Sequence, residues 1–145
     1  MLWISFALVA ITGVGLLWTK YFMHTDDPWA VINHPLQPWL LKAHIVAAPA
    51  LVFALGLIAS KHIWQHFKAR LPVGRRTGMV TVLMAGLMIL SGYFIQIVTE
   101  VVSLKVLAIS HIGLGFVFLV AFVAHQAMVT SRVPQPQVAS RLGRR

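Results

Sequence analysis

The stretch SHIGLGFVFLVAFVAHQ, residues 110–126, is the most informative part of the sequence, because it is a long apolar run that carries two imidazole groups. All thirteen residues between His111 and His125 are apolar or glycine. A helix advances about 100° and about 1.5 Å per residue, so fourteen steps return the chain to within about 40° of its starting face, about 21 Å further along the axis. We therefore predict one helix with two imidazoles on one face, at two depths.

The composition of the chain indicates a membrane protein. Of 145 residues, 59% are hydrophobic and only 10% are charged, whereas a soluble domain has roughly a quarter charged residues. The absence of cysteine excludes disulfides, thiolate-bound iron–sulfur clusters and covalent c-type haem attachment. The net charge of +9 does not indicate nucleic-acid binding, because the basic residues lie at the ends of apolar runs and form no stripe on a soluble face.

Four apolar segments have a length near the roughly 20 residues that a membrane-spanning helix needs. They are Leu2 to about Met23, about Trp39 to Trp64, about Gly78 to Val98, and about Leu104 to Val129. The first has no basic region before it and no clear small-residue cleavage site, so we interpret it as a retained helix rather than a signal peptide. The sequence predicts an all-α, four-helix transmembrane bundle over residues 1–130, in up-down-up-down order, followed by a basic flexible tail over residues 131–145.

The distribution of basic residues predicts the orientation. Nine lie in the loop between the second and third segments or in the tail: Lys61, Lys68, Arg70, Arg75, Arg76, Arg132, Arg141, Arg144 and Arg145. The three others, Lys20, Lys42 and Lys105, flank the other two loops. By the positive-inside rule both termini are cytoplasmic, and the loop MHTDDPWAVINHPLQPW, residues 23–39, is a periplasmic cap if the host is a bacterium.

The second segment repeats the histidine pattern of the fourth. His44 and His62 are eighteen residues apart, which is five whole turns of about 100° steps, so they share a face about 27 Å apart. In an alternating bundle the second and fourth helices run in the same direction. This places His44 opposite His111 and His62 opposite His125. His66 lies about 40° further round and is an alternative to His62. His24, His34 and His66 are more typical of interfacial residues.

Paired histidines at two depths are typical of haem ligands. Haem iron accepts two neutral imidazoles, and the haem is a large apolar disc that suits the interior of a bundle. Zinc or copper needs three or four ligands that converge, and two pairs about 20 Å apart do not offer that. We therefore predict two b-type haems, with the metal ligands His44, His111, His62 and His125.

Other residues are predicted to surround these haems. Gly78 and Gly92 are fourteen residues apart, like His111 and His125, and would admit a porphyrin edge at each level; ordinary small-residue packing is an equal alternative. Gly13, Gly15, Gly113 and Gly115 are placed to do likewise. Lys42, Lys61, Lys105, Arg75, Arg76 and Arg132 are placed to pair with propionates, or else are topology charges only. Met84 and Met88 are predicted to be core residues.

The histidine pattern resembles the four-helix haem core of the diheme b-type cytochromes, and most closely small bacterial inner-membrane proteins of this kind. The similar stretches are His44, GLIASKH at 56–62, RRTG at 75–78, SGY at 91–93, SHIGLG at 110–115 and His125. The resemblance implies two haems b and electron transfer to or from a quinone or a periplasmic redox partner. His44 and His62 are eighteen residues apart, whereas the corresponding histidines of respiratory cytochrome b are fourteen apart. The ligand on the second helix for the haem nearer the cytoplasm could therefore be His62 or His66.

The expected function is that of a non-catalytic electron-transfer subunit in a bacterial inner-membrane respiratory complex. It would conduct electrons between the quinone pool and a periplasmic redox partner, with lipid around it. The first loop, with His24, His34, Asp26, Asp27 and Trp29, would contact that partner or border a quinone pocket. Two alternatives stay open: a cofactor-free scaffold or assembly subunit, and a histidine-lined conduit for protons or metal ions.

Overall fold

The computed structural model describes residues 1–59, 64, 68 and 75–131, with only the backbone of Arg75. These residues form four helices: α1 Leu2–Tyr21, α2 Gln37–Ile58, α3 Arg75–Ile97 and α4 Val101–Ser131. All four are long and apolar enough to cross a membrane. At about 1.5 Å per residue, even α1 is about 30 Å long, the thickness of the hydrocarbon core. The prediction of an all-α, four-span membrane protein is confirmed.

Contacts between the helices establish their directions. On α1 and α2, Gly13 lies against His44 and Gly15 lies against Leu40, so these helices are antiparallel. On α3 and α4, the contacts of Ser91 with His111 and of Thr77 with His125 show the same arrangement. Trp3 and Phe6 of α1 contact Phe122 and Phe118 of α4, which makes these two helices antiparallel as well. Consequently α2 and α4 run parallel, and the predicted up-down-up-down order is confirmed.

An aromatic cluster forms the centre of the bundle. Phe6 of α1 stacks on Phe122 of α4 with ring centroids 4.0 Å apart, and Phe118 lies 6.0 Å from Phe6. These three rings are buried together with Leu51 and Ala85. Many other large apolar side chains are exposed, as expected for helices that face lipid. The core is therefore narrow and lies along the shared axis of the four helices.

The start of α4 is set by Glu100, which caps the helix. Its carboxylate oxygens accept hydrogen bonds from the backbone N–H groups of Val102, at 2.9 Å, and Ser103, at 2.6 Å. Hydrogen bonds from Ser103 and Val102 hold the pKa of the Glu100 carboxyl below its ordinary value. Because of this cap, α4 begins at Val101 rather than near Leu104, and it continues to Ser131, the first residue of the predicted tail. The rest of that tail lies outside the described residues.

The first loop is closed by polar contacts of its own residues. The Asn33 side-chain amide donates to the Lys20 carbonyl at 2.7 Å, which ties the loop back to the end of α1. The Trp29 backbone N–H donates to Asp27 at 2.9 Å, while the Trp29 ring is 88% exposed. The Lys42 ammonium lies 4.9 Å from the centre of the Trp39 ring at the start of α2. Exposed tryptophans beside lysines are typical of the boundary between lipid and water.

Candidate metal centre

His44 of α2 and His111 of α4 meet inside the bundle. Their ring centroids are 6.4 Å apart, and their ring planes are perpendicular. Both side chains are half-buried. Because α2 and α4 run parallel, the two rings enter the interior at the same depth, which is the juxtaposition predicted from their positions in the sequence.

The separation of the two rings is that of two imidazoles with one metal ion between them. Two metal–nitrogen bonds of about 2 Å each, with about 1.2 Å from each ring nitrogen to its ring centre, add up to about 6.4 Å. In the described part of the chain, no group of three or more His, Cys, Asp or Glu side chains is placed to hold a metal ion. The two imidazoles are the ligands that this pair could offer to a metal ion.

Each of three histidine rings is hydrogen-bonded to a hydroxyl on the neighbouring helix of its hairpin. The distances between the hydroxyl oxygen and the histidine Nδ1 atom are 3.0 Å for Thr12 and His44, 2.8 Å for Ser91 and His111, and 3.0 Å for Thr77 and His125. Metal-binding histidines characteristically make such a bond with the ring nitrogen that does not hold the metal, because it fixes the orientation of the ring.

Each of these hydroxyl residues is followed by a glycine that contacts the same ring. A Cβ atom at Gly13 would lie 3.1 Å from Cε1 of His44, and the corresponding distances are 3.4 Å from Gly92 to His111 and 3.2 Å from Gly78 to His125. A side chain at Gly13 or Gly78 would press on the ring, whereas a Cβ atom at Gly92 would be in ordinary contact with it. The contacts of Gly78 and Gly92 are therefore with the histidines themselves, a role that was not predicted from their spacing.

The other glycines that the sequence singled out have different neighbours. Gly15 packs against Leu40, and Gly115 lies beside the methyl end of Met88. A Cβ atom at Gly113 would have no neighbour within 4 Å, so this glycine does not face the site.

A cavity adjoins the pair of rings. It has a volume of about 120 Å³, and apart from the two histidines its lining is apolar. Its walls are Phe6, Val9, Ala10, Gly13, Val14, Leu17, His44, Leu51, Met88, His111, Ile112, Gly115, Phe116, Phe118 and Leu119. The cavity is partly open to the outside of the bundle, and its apolar walls suit an apolar group.

Only one of the two histidines predicted to bind the second haem lies among the described residues. His125 is half-buried and lies against Thr77 and Gly78 of α3. Its predicted partner His62, the alternative His66, and the basic residues Lys61 and Arg132 lie outside the described residues.

The described side chains among the predicted propionate partners and loop histidines have other neighbours or are exposed. Lys42 stacks over Trp39, Arg76 is exposed, and the side chain of Arg75 is not described. His24 is exposed, and His34 accepts a hydrogen bond at Nδ1 from the backbone N–H of Leu36 at 3.1 Å.

Sequence reasoning did not identify Thr12, Thr77 and Ser91 as partners of the histidines, although the stretches RRTG and SGY contain two of them. A signal for them exists in the sequence, because the chain contains three Ser/Thr–Gly dipeptides, and these are residues 12–13, 77–78 and 91–92. All three meet a histidine ring in the structure.

No family model, curated protein or solved structure matches the chain. The resemblance to diheme b-type cytochromes thus stays a prediction from the sequence.

Proposed function

We propose that the protein is an electron-transfer subunit of the membrane that binds two b-type haems. His44 and His111 are the proposed ligands of one haem. His125 is a proposed ligand of the other, with His62 as its partner from the sequence. The observation that carries the proposal is the 6.4 Å separation of the His44 and His111 ring centroids, because it suits one metal ion between two imidazoles.

The surroundings of this pair favour haem over a free metal ion. A zinc or copper site needs three or four protein ligands, and the described residues offer only two at this point. The apolar lining of the adjoining cavity suits a porphyrin better than a hydrated ion. A bis-histidine haem supplies one-electron transfer and has no open position for a substrate, so the proposed role is conduction and not catalysis.

The protein groups have two tasks in this proposal. His44 and His111 bind the iron through one ring nitrogen each, while the other ring nitrogen is held by a hydroxyl. The apolar walls exclude water, which stabilises the neutral imidazoles and lowers the reorganisation that accompanies a change of charge. A porphyrin is larger than the 120 Å³ cavity, so binding requires the apolar side chains that line it to move. Met88 is suited to this because its side chain is flexible.

The proposed setting is the inner membrane of a bacterium, with both termini in the cytoplasm and the first loop in the periplasm. The excess of basic residues in the second loop and the tail supports this orientation. Electrons would pass between the quinone pool and a periplasmic redox protein. A reporter that is active only in the periplasm should be silent after Arg145 and active near Asp27, and the reverse result would contradict the orientation.

The test of haem binding uses the full chain, expressed with an ample haem supply and purified in detergent. We expect a reduced haem b spectrum and two haems per chain by extraction. His44→Ala and His111→Ala should each lose about half of the haem, whereas His24→Ala, an exposed loop control, should retain all of it. A colourless wild-type chain would contradict the proposal. It would favour a cofactor-free scaffold or assembly subunit, or a histidine-lined conduit if the chain also carries protons or metal ions across vesicle membranes.

A further inference from the structure

We propose that the hydroxyl–glycine pairs, Thr12–Gly13, Thr77–Gly78 and Ser91–Gly92, are positioning residues that fix the rotation of the histidine each pair contacts and, at His44 and His111, also its tautomer. This inference rests on the proposed function, because it assigns the residues that prepare His44, His111 and His125 to bind a metal.

Two contacts bear on the tautomer of His44: a hydrogen bond from the ring to the backbone carbonyl of Val9, and the contact of Nδ1 with Thr12. A threonine hydroxyl has a single hydrogen, and Thr12 Oγ1 donates it to a backbone carbonyl of its own helix, that of Leu8 at 2.6 Å. Towards His44 Nδ1, 3.0 Å away, the same oxygen can therefore only accept. The hydrogen of this bond is on Nδ1. In a neutral imidazole the lone pair is then on Nε2, which is the nitrogen that a metal takes.

The same chemistry holds at His111. Ser91 Oγ donates to the Met88 carbonyl at 3.2 Å and lies 2.8 Å from His111 Nδ1. With its hydrogen directed to the Met88 carbonyl, the serine oxygen accepts from Nδ1, and the lone pair of His111 is again on Nε2. Two rings with this tautomer can each offer the Nε2 lone pair to one metal ion, whereas rings with hydrogen on Nε2 would have to bind it through Nδ1, the nitrogen that contacts the hydroxyl.

The pairing is specific to the histidines and is not a general habit of hydroxyls in these helices. Thr19 and Thr81 are as buried as Thr12, and each donates to the carbonyl four residues before it at 2.9 Å. Neither is followed by glycine, and neither is hydrogen-bonded to a histidine among the described residues. All three Ser/Thr–Gly dipeptides, by contrast, contact one, with distances from the glycine Cβ position to Cε1 of 3.1–3.4 Å.

The two members of a pair act on different degrees of freedom of the ring. The hydroxyl holds Nδ1–H and so sets the tautomer, while the absent side chain of the glycine lets Cε1 approach the helix backbone. A hydrogen bond at Nδ1–H also makes the imidazole a stronger base towards a metal. Its loss should weaken haem binding by about 10- to 100-fold, the usual range for such outer contacts. Because a more basic ligand favours ferric iron, its loss should also raise the midpoint potential.

The experiment compares Thr12→Val, which keeps the side-chain shape and removes the hydroxyl, with Thr12→Ser, which restores it. Thr19→Val on the same helix is the matched control. The first readout is the midpoint potential and haem affinity of the purified chain. The second is the ¹⁵N spectrum of its histidines after expression in a haem-deficient host, with the His44 signals assigned by their loss in His44→Gln.

We expect Thr12→Val to raise the potential of one haem, and to shift the haem-free His44 from the Nδ1–H to the Nε2–H tautomer. Thr12→Ser and Thr19→Val should behave as wild type. An unchanged tautomer in Thr12→Val, or an equal change in Thr19→Val, would overturn the inference. If Thr12→Val does not accumulate, Ser91→Ala tests the same claim at His111, with Thr81→Val as its control. A wild-type chain that never takes up haem would refute the proposed function alone, because the ¹⁵N spectrum still reports the tautomer.

Discussion

Phe6 stacks on Phe122 with ring centroids 4.0 Å apart and an angle of 23° between the rings. Phe122 lies on α4 between His111 and His125, so this contact joins α1 to α4 between the two histidine levels. In lipid, helix association depends on close packing, because the surrounding tails are as apolar as the side chains. The stacked pair is therefore a main source of the cohesion between the two hairpins.

Replacing Phe6 by alanine should weaken the packing between α1 and α4 and so lower the stability of the protein. In soluble cores a Phe→Ala change reduces stability by about 3–5 kcal/mol, through the lost transfer free energy and the cavity left behind. Only the cavity contribution applies where the unfolded helices stay in an apolar phase, so we expect a smaller loss of about 1–3 kcal/mol. The measurement is unfolding by sodium dodecyl sulfate in mixed micelles.

The control for this change is Phe53→Ala on α2, whose ring is 59% exposed to the lipid side. It removes the same atoms without opening a cavity. An equal loss of stability in both variants would show that the stacked pair has no special part in holding the hairpins together.

Filling the cavity beside His111 should prevent haem binding at that level. Gly115 lines the cavity, whereas Gly113, two residues before it on α4, is exposed and has nothing within 4 Å of its Cβ position. Gly115→Leu places a bulky side chain in the space a porphyrin needs, and Gly113→Leu places the same side chain towards lipid. We expect Gly115→Leu to lose about half of the extracted haem and Gly113→Leu to keep it all. Equal haem contents in Gly115→Leu and Gly113→Leu would show that the porphyrin does not occupy the space beside Gly115.

The contact of Gly13 with His44 should be equally sensitive. In Gly13→Ala the new Cβ would be 3.1 Å from Cε1 of His44, so the ring has to move away from α1. Gly56→Ala is the matched control on α2, because no atom lies within 4 Å of its Cβ position. We expect Gly13→Ala to change the spectrum or midpoint potential of one haem. Gly56→Ala should leave both unchanged and stabilise its helix by roughly 0.5–1 kcal/mol. An unchanged spectrum and midpoint potential in Gly13→Ala would mean that the His44 ring is not constrained by its contact with Gly13.

The cap at Glu100 predicts a pH dependence of stability. Because hydrogen bonds from the Ser103 side chain and from the backbone N–H groups of Ser103 and Val102 lower the folded pKa of this carboxyl, its contribution is present above the ordinary carboxyl pKa. It is lost as the pH falls through the lowered folded value. The melting temperature of wild type should therefore exceed that of Glu100→Gln at neutral pH, and the gap should narrow on acidification. A gap that stays constant from neutral to acid pH would exclude a charged cap.

The architecture and the meeting of His44 with His111 could be predicted from the sequence, because apolar length, helical period and alternation of direction are all local quantities. The partners of the rings could not. Thr12 faces His44 because Gly15 packs on Leu40 and so sets the register of α1 against α2, a tertiary contact that periodicity does not encode. The early start of α4 was missed for a simpler reason, since a glutamate cap at Glu100 carries no apolar signal.

The last prediction concerns the partner of His125. Helices α2 and α4 run parallel, and the level of His44 matches that of His111, so a second ligand on the His44 face is expected about fourteen residues or more further along the chain. Five whole turns place His62 on that face, while His66 is about 40° further round. If His62 is the ligand, His62→Ala and His125→Ala should each lose the same haem, identified by its midpoint potential, and His66→Ala should keep both. Haem extraction and redox titration of the three variants decide it. Loss of that haem in His66→Ala, with retention in His62→Ala, would transfer the assignment to His66. Retention of both haems in His125→Ala would show that the contact of Thr77 with His125 serves helix packing alone.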